Sequence, residues 1–196
     1  MKKLGTLCAL FTLAMAMVAT ADETKKDSAA PVTDPMAGME MGAPKEMKTL
    51  DFLIGTWDCA MSMRNPSCDT CPRIPSTGVQ IFSMTADGSA QLTTYNGQFM
   101  GMPFAGTGLT CYNRETKKFE NVWIDNTSAR FSKVEGNWEG EKFVLGGPDH
   151  MGPLNWITRQ TTSKTSETTF DWTYESSYDN GATYSTEVKI SYTKRK

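Results

Sequence analysis

Alternation of apolar and polar positions dominates the chain from residue 56 onward. In residues 56–64 the apolar side chains from Trp57 to Met63 occupy every second position, and polar ones such as Asp58 lie between them. This period of two is that of a strand with one buried face. Nine further runs rich in strand-forming residues follow; they are 79–85, 90–100, 103–112, 118–125, 130–138, 142–145, 154–162, 168–176 and 183–193. The pattern predicts ten strands.

Tight turns separate these runs. Asp87-Gly88, Glu139-Gly140 and Asn180-Gly181 are pairs typical of hairpin turns. Because only one short apolar helix is indicated, before Gly55-Thr56-Trp57, we predict an all-β fold with a single antiparallel up-and-down barrel of about ten strands. Closure removes exposed edges, and ten strands enclose more space than side chains alone fill. A two-sheet β-sandwich is the alternative.

The first residues resemble an export signal. Lys2 and Lys3 precede an apolar run, and Ala19-Thr20-Ala21 is a small-residue cleavage signature. We therefore predict a signal peptide at 1–21, cleavage after Ala21, and a periplasmic or secreted protein. The run is too short for a membrane span, so no transmembrane segment is expected.

Residues 22–46 form a predicted flexible leader, because they are rich in Ala, Pro, Gly and Met and contain no aromatic side chain. Residues 47–196 then form one barrel domain. Removing the signal takes two lysines from 20 basic residues and none from 22 acidic ones, which leaves a net charge of −4. That balance argues against nucleic acid as a partner.

Four cysteines remain after export: Cys59, Cys68, Cys71 and Cys111. An even number in an oxidising compartment predicts disulfides, and three complete pairings are open. Cys68-Asp69-Thr70-Cys71 has the spacing of a redox motif, but the prolines around it favour extended or turn structure over the helix that would activate a thiolate. We expect a structural disulfide, either within this motif or joining its loop to the barrel.

The sequence contains no recognisable catalytic constellation. His150 is the only histidine, and the glycines and prolines around it predict a loop without an adjacent nucleophile. No phosphate-binding loop and no metalloprotease or hydrolase motif occurs. We therefore expect no enzyme and no bound cofactor.

Methionine is the one compositional excess, with 13 residues. Met36, Met39 and Met41 lie in the leader, and spaced thioethers suit Cu(I). Copper handling by the leader, with His150 as another weak metal candidate, is therefore one alternative function. A surface-mediated role in the cell envelope without a ligand is another.

The leading prediction is a small apolar or amphipathic ligand inside the barrel, because large apolar residues alternate around a space wide enough to hold one. The expected interior contacts are Met61, Met63, Phe82, Phe104, Trp123, Phe131, Trp156 and Trp172. The alternative is that these side chains fill the interior completely and leave no space for a ligand. The identity of the ligand and the oligomeric state are left open.

Four separated blocks resemble the bacterial exported family catalogued as domain of unknown function 1579. These blocks are residues 50–57, residues 100–108, Tyr112-Asn113 and Trp123-Ile124-Asp125. The resemblance spans residues 47–196 and implies a calycin-like barrel, similar to lipocalins, fatty-acid-binding proteins and nitrobindin.

The lipocalin likeness implies that a basic side chain of the last strand covers Trp57 as part of a barrel plug. Lys194 and Arg195 match that position, and Arg195 is taken as the plug residue. The likeness to nitrobindin suggests haem as a possible cofactor, with His150 as its axial ligand.

Overall fold

The structure is a computed structural model that describes residues 40–196 except residue 69. The predicted signal peptide and residues 22–39 of the predicted leader lie outside the described residues. A 3₁₀ helix, Lys45–Leu53, begins two residues before the predicted start of the domain at Met47. Its buried side chains are Met47, Leu50 and Leu53.

Ten strands follow the helix. They are β1 (Gly55–Met63), β2 (Ile74–Met84), β3 (Ala90–Phe99), β4 (Met102–Asn113), β5 (Lys118–Asp125), β6 (Ser132–Glu139), β7 (Lys142–Met151), β8 (Leu154–Lys164), β9 (Thr169–Ser177) and β10 (Ser185–Lys194).

The strands form a closed antiparallel barrel. Each strand pairs with its sequence neighbours, and β1 pairs with β10 in a register that sets Trp57 opposite Lys194. The predicted up-and-down barrel of ten strands is therefore confirmed, and the alternative of a β-sandwich is wrong. Closure gives every strand two partners along at least part of its length, which removes the two free edge strands of an open sheet.

Inward and outward side chains alternate as the period of a strand requires. In β1, Trp57, Cys59 and Met61 are buried, whereas Asp58 and Ala60 are exposed. The inward side chains of the other strands join them in one core that surrounds the barrel axis.

Two strands extend through residues that the sequence predicted as loops. β2 begins at Ile74 and includes Pro75, and β7 continues through Pro148 to Met151. Both prolines lie where their strand has a partner on one side only, since β2 meets β3 from Gly78 onward and β6 meets β7 only as far as Gly146. A proline is tolerated at such an edge. The prediction that His150 lies in a loop was wrong, because it is the penultimate residue of β7.

Trp57 lies at the end of the barrel that the 3₁₀ helix covers, and we call this the closed end. The indole is 1% exposed, and its Nε1 donates to the carbonyl oxygen of Leu53 at 2.6 Å. Its ring meets Phe170 edge-on at 4.7 Å, and Phe170 stacks on Tyr192 at 4.1 Å. These rings form the floor of the barrel.

The basic side chain that covers Trp57 is Lys194, whose Nζ lies 5.2 Å from the centroid of the Trp57 ring. The prediction of Arg195 for this position was wrong. Arg195 follows Lys194 by one residue and therefore points to the opposite face of the sheet. Its guanidinium binds the exposed carboxylate of Asp58 at 2.6 Å on the outside of the barrel.

Candidate functional site

The barrel encloses a cavity of about 740 Å³. It extends from Leu53 and Phe170 at the floor to Arg130 and His150 at the opposite end. We call that opposite end the mouth; its connections are residues 64–73, 100–101, 126–131, 152–153 and 178–184. The interior is thus not filled by side chains, and a molecule of moderate size has room inside.

Aromatic rings supply much of the cavity wall. They belong to Phe82, Tyr95, Phe99, Phe104, Trp123, Phe143, Trp156, Phe170, Trp172, Tyr174 and Tyr192. Trp123 lies directly against β4, because a Cβ added to Gly106 would be 2.1 Å from its Cζ2 atom and one added to Gly108 would be 3.0 Å from its Cε3 atom. The two glycines therefore make the space that lets the indole lie flat against the wall.

Uncharged polar side chains supply another part of the wall. They are Gln80, Gln91, Thr93, Thr110, Asn121, Ser132, Gln160 and Thr162. Several are held in place by hydrogen bonds: the Gln80 amide oxygen accepts from the Tyr192 hydroxyl at 2.6 Å, and Asn121 donates to Thr110 at 2.9 Å. The cavity is therefore amphipathic but carries no formal charge in this region.

Tyr95 projects from β3 into the cavity wall and is 2% exposed. Its ring passes over the paired glycines Gly78 and Gly97, where an added Cβ would approach the hydroxyl to 2.2 and 2.6 Å. This buried hydroxyl has no hydrogen-bond partner among the described residues. Burial, and secondarily the neighbouring Cys59, raises the pKa of Tyr95 to about 12, so the group keeps its proton.

Charged lining residues are confined to the mouth. Asp125 accepts hydrogen bonds from Trp123 Nε1 at 3.0 Å and from the backbone amides of Thr127 and Ser128. Burial acts to raise the pKa of Asp125, but these hydrogen bonds and that of the Thr127 hydroxyl outweigh it, so the pKa is lowered. The carboxylate stays ionised and shapes the loop between β5 and β6.

The barrel wall has a gap in strand pairing beside this loop, which we call the seam. β5 and β6 pair only between Phe119 and Trp123, and β7 pairs with β8 alone from Gly147 to Met151. Residues 126–131 cross the resulting gap, and Arg130 joins them to β7 through an ion pair with Asp149 at 2.6 Å. The Asp149 side chain is 11% exposed, so this contact is partly shielded from water.

The structure brings together most of the side chains predicted to face a ligand. Those that line the cavity are Met61, Phe82, Phe104, Trp123, Trp156 and Trp172. Met63 is buried on the same face of β1 but does not border the cavity. Whether any of them binds a ligand stays a prediction.

The prediction that Phe131 faces the interior was wrong, because its side chain is 71% exposed. It precedes β6, which begins at Ser132, so the alternation of that strand does not extend to it. The apolar pattern also missed Tyr95 and the polar lining. The signal available for them was the inward parity of Gln91, Thr93 and Tyr95 on β3, once one face of that strand is fixed.

Within residues 40–196, residue 69 apart, there is one disulfide, between Cys68 and Cys71 in the β1–β2 connection. Cys59 and Cys111 are free thiols, so the prediction of disulfides for these two was wrong. Cys59 faces inward on β1, whereas Cys111 follows the inward-facing Thr110 on β4 and points outward, so the barrel wall separates them. Burial, and secondarily the Asp58 carboxylate, raises the pKa of Cys59 to about 12.

The metal candidates are dispersed. Met36 and Met39 lie outside the described residues, and Met41 is exposed. His150 borders the mouth and is exposed, and haem ligation by it stays a prediction. Within residues 40–196, leaving out residue 69, no three His, Cys, Asp or Glu side chains are grouped in a way that could hold a metal ion. Copper binding by the leader stays a prediction.

Residues 43–194 match the family described as "Protein of unknown function (DUF1579)". The chain belongs to this family. The match covers the 3₁₀ helix and all ten strands of the barrel, which confirms the resemblance drawn from the four sequence blocks. No curated protein matches the DUF1579 chain significantly in sequence.

Three solved structures are similar to this DUF1579 barrel. The S-type phycobiliprotein lyase CPES from Guillardia theta has a TM-score of 0.51 at 9% identity, covering 76% of this chain and 92% of the lyase. A redesigned β-barrel has a TM-score of 0.41 at 13% identity, covering 74% and 94%. EF1p2_mFAP2b bound to DFHBI has a TM-score of 0.43 at 12% identity, covering 77% and 100%. Identities this low show a shared fold alone.

The described part of the chain contains no helix with the length and hydropathy to cross a bilayer.

Proposed function

We propose that this protein binds a small, uncharged, amphipathic molecule inside its barrel. The observation that carries the proposal is the cavity of about 740 Å³, whose wall combines aromatic rings with uncharged polar side chains such as Gln91, Thr93 and Gln160. A ligand that left these polar groups buried without a hydrogen bond would lose about 1–3 kcal/mol for each of them. A molecule with polar atoms placed against them avoids that cost.

The size and lining of the cavity support the same ligand class. Sites for small molecules commonly have volumes of roughly 300–1,000 Å³ and combine apolar walls with a few oriented polar groups. Here the rings of residues such as Phe104 and Trp172 provide the apolar surface, and the amides of Gln91 and Asn121 provide polar contacts.

The distribution of charge argues for an uncharged ligand. Among the described residues that line the cavity, Arg130 is the only Lys or Arg, and it lies at the mouth in an ion pair with Asp149. A carboxylate buried near the floor would have no cation to compensate its loss of hydration, which costs several kcal/mol. A neutral ring system with a carbonyl or similar acceptor avoids that cost.

The experiment is a fluorescence titration with Nile red, an uncharged aromatic probe that carries a carbonyl acceptor. Gly106→Val should weaken binding more than tenfold, because its side chain displaces the Trp123 indole from β4 into the cavity. Ala105→Val is the matched control, since residue 105 adjoins Gly106 on β4 and is exposed on the outside of the barrel. Gln160→Leu, which removes a polar side chain that lines the cavity, should weaken binding about threefold to tenfold, the equivalent of one hydrogen bond.

Two results would contradict the proposal. One is that wild-type protein does not take up the probe, and the other is that the Gly106→Val and Ala105→Val variants bind it equally well. Native mass spectrometry of protein purified from its own source supplies a further test, because a retained ligand adds its mass to that of the chain.

We also propose that the protein acts outside the cytoplasm, in the periplasm or after secretion. The support is the sequence of residues 1–21 alone. The same mass spectrum tests this proposal, since it should give a mature chain that begins at Asp22. A chain that retains residues 1–21 would contradict it.

A further inference from the structure

The mouth of the barrel carries most of the large apolar side chains that are exposed in the described part of the chain. The described residues include nine exposed large apolar side chains. Six of the nine lie on or beside the mouth connections: Met100, Met102, Phe131, Met151, Leu154 and Tyr178. They occupy four of the five connections at this end. Phe131 and Met151 are the most exposed of the six, at 71% and 69%.

The connections at the closed end have the opposite character. Residues 85–89, 114–117, 140–141 and 165–168 consist of Thr, Ser, Asp, Glu, Arg, Lys, Gly and one Ala. None of these four turns carries a large apolar side chain. Exposed apolar residues scattered singly over a surface are ordinary, but their concentration at one end of a barrel marks a contact surface.

The β3–β4 turn has an apolar residue, Met100, at a position whose backbone conformation favours a different type of residue. Met100 and Gly101 both have positive φ, at 51° and 80°. Turns of this kind favour Asn or Asp at the first position, because a longer L side chain with positive φ is strained. The turn nevertheless presents a methionine with an exposed side chain at the mouth.

Charged groups at the mouth are largely engaged within the protein. Arg130 binds Asp149, and the Asp179 carboxylate accepts hydrogen bonds from Ser177 and Thr183. Arg73 donates to the backbone carbonyls of residues 62, 186 and 187. The outward-facing apolar tips are therefore not surrounded by a strong field of one sign, and a contact made by them does not depend on a charged partner.

From this arrangement we infer that the mouth docks on the surface of a lipid bilayer, where the ligand passes between membrane and cavity. This inference rests on the proposed function. The apolar side chains stand on separate turns around an opening, a form that suits shallow insertion into a soft apolar layer better than packing against one rigid protein face. Once docked, the amphipathic cavity is continuous with the lipid, so that the uncharged amphipathic ligand enters without crossing water.

Co-flotation with phosphatidylcholine vesicles tests the inference. The double variant Phe131→Ser with Met102→Ser, at two exposed residues that do not line the cavity, should lose at least tenfold in vesicle affinity, because burying even one large apolar side chain changes a binding constant by about tenfold or more. The control is Ile81→Ser with Leu109→Ser, which removes two exposed apolar side chains from the outer wall. Docking of this control should equal that of the wild type, and raising the salt concentration to 0.5 M should not release either protein.

The outcomes separate this inference from the proposed function. Gly106→Val should keep vesicle binding while losing Nile red uptake, and the mouth variant should keep Nile red uptake in solution. The inference is overturned if wild-type protein does not float with the vesicles, or if mouth and control variants lose binding equally. It is also overturned if analytical ultracentrifugation shows that the mouth residues mediate a dimer instead.

Discussion

Replacing Trp57 tests the floor of the barrel directly. The Trp57→Ala variant removes a ring that is 1% exposed, its contact with Phe170 at 4.7 Å and its position under Lys194. Truncations of buried tryptophan to alanine cost about 3–5 kcal/mol. With a urea dependence of about 2 kcal/mol per molar for a domain of this size, the unfolding midpoint should fall by about 2 M.

Two milder variants separate the contributions. Trp57→Phe keeps an aromatic ring beside Phe170 but removes the indole N–H, which leaves the Leu53 carbonyl without its donor. The expected cost is about 1–2 kcal/mol. Lys194→Gln removes only the cation above the ring and should cost about 1 kcal/mol or less.

Urea unfolding followed by far-UV circular dichroism is the assay, because it does not depend on the fluorescence of the replaced residue. The expected order of destabilisation is Trp57→Ala, then Trp57→Phe, then Lys194→Gln. A midpoint lowered by less than 0.5 M in Trp57→Ala would refute the argument that this indole seals the floor. Equal losses for Trp57→Ala and Trp57→Phe would refute the weight given to ring packing.

Three further predictions concern the mouth and the free thiols. Arg130→Gln should accelerate both uptake and release of Nile red in stopped-flow measurements, because it breaks the ion pair with Asp149. The control Lys118→Gln, which breaks the exposed ion pair with Glu135, should leave both rates unchanged. Equal rates in the wild type and the two variants would contradict the role of the seam. The pKa of Asp179 is lowered to about 2, chiefly by the Thr183 hydroxyl, from an unfolded value of 3.8, so the stability it provides is present above pH 3.8 and is lost as the pH falls toward 2. Asp179→Asn should flatten that part of a pH series of thermal midpoints, and an unchanged slope would count against it. Cys111 should react with a thiol reagent in the native protein, whereas Cys59 should react only on unfolding, because it is buried and its pKa is raised to about 12. Comparison with Cys59→Ser identifies the slowly reacting thiol. Rapid reaction of both thiols would be inconsistent with the burial of Cys59.

Strand number and order could be predicted from the sequence because each strand has one apolar face and each hairpin has a recognisable turn. β5 illustrates this, since the predicted run 118–125 coincides with Lys118–Asp125. The ends of β2 and β7 could not be predicted, because Pro75 and Pro148 indicate a break unless it is known that one neighbouring strand is missing there. That knowledge comes only from the register of the whole barrel.

The site was predictable only for its apolar part. Large apolar side chains such as Met61 and Trp172 mark an inward face by themselves, whereas Gln160 and Thr162 on β8 look like solvent-facing residues in the sequence. The amphipathic character of the cavity arises from this second group. The choice between Lys194 and Arg195 likewise needed the register of β1 with β10, because the two adjacent side chains lie on opposite faces.

Joining of the first and last strands has a consequence for engineering this chain. Trp57 faces Lys194, and the Arg195 amide donates to the Thr56 carbonyl, so the two ends of the barrel sequence already run side by side. All other neighbours are consecutive strands. A circular permutant that links residue 196 to the 3₁₀ helix by a short linker and opens the chain in the polar turn 114–117 therefore preserves every strand neighbour. Which hairpin is synthesised first is then free to vary, and permutants of this kind would reveal whether folding depends on that order.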